Sequence, residues 1–109
     1  MIRGGVLVAA VAYAGAAQSQ VEYLDCNRSA APLFCRQSQQ SLREQLPNAS
    51  RDYEAMRKIA YCLWTGCDGA VVHNRKWSCE IRRAIMKQYP REIGRSDDND
   101  FSNCVRAGY

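Results

Sequence analysis

The chain is poor in the groups that carry most enzyme chemistry. It has a single histidine, His73, in 109 residues, and no Cys-x-x-Cys pair of the kind that favours a low-pKa thiol. No metal triad, phosphate-cradling glycine loop or nucleophile elbow occurs. Only Cys62 and Cys67, at Cys-x4-Cys, come near zinc-ligand spacing, so neither a metal nor another cofactor is expected. His73 lies near Cys67 and Asp68 in sequence, but an oxidised Cys67 has no nucleophile to offer. Glu80 and Glu92 stand 12 residues apart, about 18 Å on one helix, which is too far for paired-carboxylate hydrolysis. The Asp97, Asp98 and Asp100 cluster reads instead as the acidic first turn of a helix. These absences lean the reading away from an enzyme.

A membrane-length apolar run is also missing. Gly4 to Ala17 holds 14 residues without a charge, short of the roughly 20 that a spanning helix needs. Arg3 precedes the run, and small residues at Ala14 and Ala16, or Gly15 and Ala17, fit a signal-peptidase site. The expectation is a signal peptide over 1–17, cut near Ala16 or Ala17. A single disulfide-rich helical domain over 18–109, secreted or periplasmic, then follows. No segment alternates as a strand does.

Six cysteines fall in this exported part: Cys26, Cys35, Cys62, Cys67, Cys79 and Cys104. An even count in a short exported chain predicts three disulfides. They matter because a core this small is marginal, and each native bridge is worth roughly 2–5 kcal/mol.

Helical periodicity organises the rest. Leu33 to Leu46 is rich in helix formers and is stopped by Pro47. Ser50 is the expected N-cap of a second helix, with Asp52 and Glu54 in its first turn. Met56, Ile59, Ala60 and Leu63 recur at helical spacing, and Gly66 supplies a left-handed stop. Asn74 caps a third helix from Arg75 to about Tyr89, with Trp77, Ile81, Ala84 and Ile85 on its apolar face and Pro90 beyond. A last short helix begins at Ser96 or Asp97 and carries Phe101, Cys104 and Val105. The fold class is all-α: a small disulfide-stabilised bundle of three to four short helices around a central helical hairpin.

In such a hairpin Cys62 lies about one turn before the connection and Cys79 about one turn after it. A Cys62–Cys79 staple is expected, worth roughly 3 kcal/mol by loop entropy. Cys67 is then left for Cys104, and Cys26 for Cys35, one of the fifteen ways of pairing six cysteines.

The net charge of +4 falls to +3 without Arg3, and its distribution is uneven. Arg75, Lys76, Arg82, Arg83, Lys87 and Arg91 face only Glu80 and Glu92. A basic helix of this kind suits an anionic membrane surface, whereas the aromatic interleaving of a nucleic-acid platform is lacking. Trp64 and Trp77 flank the turn beside Arg75, Arg82 and Arg83, and these five residues form the candidate binding surface. Trp77 also fits the core.

The stretch Ile59 to Ile85 (IAYCLWTGCDGAVVHNRKWSCEIRRAI) resembles one Sel-type repeat, of the tetratricopeptide-like helix-turn-helix class. Leu63, Gly66, Gly69, Val71 or Val72, Asn74, Ser78 and Ile81 fall on its pattern. The turn is longer by a residue, and the usual alanines of the second helix are missing. The likeness covers about a quarter of the chain, with no second copy. It implies a protein-binding or scaffold role and brings no catalytic residues. Three function classes therefore stand: a protein-binding or structural module, a secreted cationic effector acting on membranes or microbes, and an enzyme inhibitor or small enzyme.

Overall fold

The computed structural model describes residues 21–109, so the expected signal peptide lies outside the described residues. Four helices follow one another: α1 (Pro32–Gln45), α2 (Tyr53–Thr65), α3 (Arg75–Gln88) and α4 (Arg95–Arg106). Short 3-10 turns at Cys26–Arg28 and Leu46–Asn48 flank α1. The class is all-α, as the periodicity predicts.

The local signals explain the boundaries. Pro32 opens α1, where its missing N–H costs nothing. Pro47 ends it by tightening the chain into the second 3-10 turn. Asp52, not Ser50, caps α2: its carboxylate accepts the Ala55 N–H at 3.0 Å. An aspartate one residue before the helix adds charge to the capping bond, so it outcompetes the serine. Gly66 stops α2 at φ 85°, and Asn74 caps α3 by accepting the Trp77 N–H at 3.1 Å.

Helices α2 and α3 make the most extensive contact, while α1 packs on α2 and α4 packs on α3. Met56, Ile59, Ala60 and Leu63 of α2 are sealed from solvent together with Ile81 and Ile85 of α3. Burying each large aliphatic side chain contributes about 1.5–3 kcal/mol. Close approach of the pair rests on small residues. Ser78 is fully buried, and its hydroxyl donates a 2.6 Å hydrogen bond to the Ala60 carbonyl.

The connection between α2 and α3 is tied down. Tyr23 and Val71 form an isolated antiparallel bridge, with the Leu24 N–H on the Ala70 carbonyl and the Val72 N–H on the Glu22 carbonyl, both at 2.9 Å. Ala70 and Val71 are buried beneath this segment.

The disulfides are Cys26–Cys35, Cys62–Cys67 and Cys79–Cys104. The expected Cys62–Cys79 staple and the Cys67–Cys104 bridge do not form. The left-handed turn at Gly66 swings Cys67 back over the last turn of α2, to a Cα–Cα distance of 4.9 Å from Cys62. Cys79 faces α4 instead and pairs there with Cys104. Three bridges fit an oxidising compartment. No helix among the described residues is long and apolar enough to cross a membrane.

Candidate functional site

The outward face of α2 is a polar stripe. Glu54, Arg57, Lys58, Tyr61 and Cys62 recur three and four residues apart, so they line one side of the helix, opposite Met56, Ile59 and Leu63. Helix α1 raises one wall beside this stripe with Ser38 and Ser41, and Arg82 of α3 and Asp100 of α4 raise the other. The space between them is a cleft of about 390 Å³. A smaller recess of about 80 Å³ shares Tyr61, Arg82 and Asp100 and adds Trp64, Thr65, Asn103 and Cys104. The two recesses together form a groove along α2. Tyr61 stands in it with 59% of its surface exposed.

An ionic network holds the α4 wall in place. Asp97 is buried to a side-chain exposure of 3% and accepts from the Tyr53 hydroxyl at 2.5 Å and from the Gly94 N–H at 3.1 Å. Arg57 brings its Nε within 3.2 Å of the other Asp97 oxygen. That contact lacks hydrogen-bond alignment and acts as an ion pair alone. Arg57 also donates to Glu54 and to the Ser96 hydroxyl, each at 3.3 Å. On the opposite side of the groove floor, Arg82 meets Asp100 at 3.1 Å.

These partners set the acidities. Burial alone would raise the Asp97 pKa, but the Tyr53 hydroxyl, the Gly94 amide and the Arg57 and Arg82 charges outweigh it and hold the carboxyl below its ordinary range. The Tyr53 hydroxyl is pushed up, first by the hydrogen bond it donates to Asp97 and then by burial. Burial pulls the Arg82 guanidinium down, against the opposing pull of Asp100 and Asp97.

Of the five residues expected to form one surface, Trp64 and Arg82 share the smaller recess with Arg75 stacked on Trp64, while Trp77 and Arg83 lie apart from it. The Arg75 guanidinium lies 4.6 Å above the indole ring. Trp77 is only 7% exposed and packs in the core between α2 and α3, because the apolar stripe of α3 includes it. Arg82 is also 7% exposed, covered by α4 and neutralised by Asp100. Arg83 is exposed but lines neither recess. The basic face of α3 is therefore smaller than its sequence implies. The stripe Glu54, Arg57, Lys58 and Tyr61 was present in the sequence as polar positions at helical spacing, with one aromatic among charges. Ser38, Ser41 and Asp100 join it only through tertiary packing.

Within the Thr65–Asn74 connection Val71 is 1% exposed and bridged to Tyr23, whereas its neighbour Val72 is 38% exposed. Cys67 is bonded to Cys62, so it has no thiol to pair with His73 in a dyad. No family model matches the chain, and no curated protein or solved structure matches it either.

Proposed function

We propose that this chain is an exported, secreted or periplasmic binding module that receives a segment of another protein in the groove along α2. The observation that carries the reading is the exposed Tyr61 in a cleft bordered by charges of both signs, Glu54 and Asp100 against Arg57, Lys58 and Arg82. An aromatic anchor within a polar rim is the composition of a protein interface. The helical-hairpin resemblance supports the same role. The membrane reading is weakened at one of the six cations it rests on, since Arg82 is buried and ion-paired.

Photo-cross-linking in the native compartment tests the proposal. A benzophenone amino acid replaces Tyr61 in one variant and Phe34, equally exposed at 59% but outside the groove, in another. The expected result is a saturable adduct with one protein from position 61 alone, competed away by the unlabelled domain. Equal adducts from both positions, or binding to anionic vesicles with no protein adduct, would overturn it.

A further inference from the structure

The three disulfides differ in access. Cys35 and Cys79 are fully buried, Cys104 is 1% exposed and Cys26 is 7% exposed. Cys62 and Cys67 are only half-buried, and Cys62 lines the groove. The bridge they form closes the tightest loop of the three and clamps a turn with unfavourable backbone geometry. Cys67 and Asp68, neither of them glycine, lie at φ 47° and 60°, between Gly66 and Gly69 at 85° and 77°. Chain contacts run directly from this turn to the N-terminal segment. The Asp68 carbonyl accepts from the Ser29 hydroxyl at 2.6 Å, the Ala70 carbonyl from the Leu24 N–H, and the Val72 N–H donates to Glu22.

We infer that the Cys62–Cys67 bridge is a thiol-exchange site, opened by a dithiol that enters from the groove, and that its reduction loosens the pairing of Glu22–Leu24 with the turn, while Cys26–Cys35 still ties the segment to α1. A thiolate of the dithiol attacks the Cys62 Sγ. The sulfur–sulfur bond breaks, and its electron pair leaves on the Cys67 Sγ. Lys58, one helical turn before Cys62 in the same groove, attracts the incoming anion. Thr65 serves the leaving group. Its hydroxyl donates to the Tyr61 carbonyl at 3.0 Å and lies 3.9 Å from the Cys67 Sγ, so its proton can turn to the sulfur as charge develops there. The second thiolate of the dithiol then displaces Cys62 from the mixed disulfide. The chain gains two electrons and two protons as Cys62 and Cys67 thiols, and the dithiol becomes a disulfide. With the clamp gone, the left-handed turn relaxes and its pairing with Glu22–Leu24 loosens.

The test treats the oxidised full chain with dithiothreitol and, separately, with a thioredoxin-type protein dithiol, followed by alkylation and peptide mass analysis. Cys62 and Cys67 are expected to be labelled about ten-fold or more faster than the other four cysteines. Thr65→Val should slow that labelling several-fold, and Thr65→Ser should restore it. Hydrogen exchange of the Leu24 and Val72 amides should rise about ten-fold in the selectively reduced chain and in a Cys62→Ala/Cys67→Ala variant. A higher rate with the protein dithiol assigns a protein donor, and equal rates assign a small thiol. Labelling of another pair first, simultaneous labelling of all six, or unchanged Leu24 and Val72 exchange would overturn the inference.

Discussion

Tyr53 and Asp97 lie 44 residues apart and are joined by a 2.5 Å hydrogen bond from the phenol to the buried carboxylate. This bond, with the Arg57 ion pair beside it, fixes the start of α4 against the start of α2. Asp97 is buried but its Arg57 partner is about one-third exposed, so losing the carboxylate costs about 1.5–3 kcal/mol, the range for hydrogen bonds to a charged group. Asp97→Asn should therefore destabilise the domain by roughly that much in denaturant titration, and Tyr53→Phe by about 1.5–3 kcal/mol.

The same pair sets a pH window. The Asp97 carboxyl titrates below its ordinary range in the folded chain, so its contribution is complete at neutral pH and is lost as the pH falls below about 4. The Tyr53 hydroxyl titrates above its ordinary range, so its contribution is present below about pH 10 and is lost as the pH rises past that value. Thermal melts across pH should show both limbs. Asp97→Asn should flatten the acid limb and Tyr53→Phe the alkaline one.

Gly66 ends α2 at φ 85°, and a Cβ built there would sit 2.9 Å from the His73 Nε2. Gly66→Ala should cost about 1–2 kcal/mol, mostly from the left-handed backbone. His73→Ala in the same chain should recover only the small steric part, since the imidazole can move aside and the backbone angle cannot. Chemical denaturation of the single and double variants measures the split.

The bridges should rank by the loops they close. By loop entropy Cys79–Cys104, with a sequence separation of 25, is worth about 3.5 kcal/mol, whereas Cys62–Cys67, with a separation of 5, is worth about 2 kcal/mol. Paired alanine replacements should lower the melting temperature in that order, with Cys26–Cys35 between them.

Most of the helical architecture was legible in the sequence because its signals are local. Pro47, Gly66 and Asn74 act on their own neighbours, and the Met56–Leu63 stripe announces its buried face. The site was less legible. Arg82 reads as one more cation on a basic helix until α4 brings Asp100 over it, and nothing within α3 signals that contact. Cys26–Cys35 formed as expected, but the other two cysteine pairings failed for a related reason. Distance from the turn placed Cys62 and Cys79 at similar heights on the hairpin, but pairing depends on helix rotation. Cys79 points to α4, and Cys62 lies under the returning turn.

The exchange site depends on Cys62 being bonded to Cys67, and a non-reducing tryptic map tests that directly. Trypsin cuts after Lys58 and Arg75, so both cysteines fall in the single peptide Ile59–Arg75. The expected result is that peptide alone, two hydrogens lighter than its reduced form, with the Cys79 peptide Trp77–Arg82 joined to the Cys104 peptide Ser96–Arg106. Finding Ile59–Arg75 cross-linked to either of those peptides would contradict the pairing and with it the accessible bridge at the end of the groove.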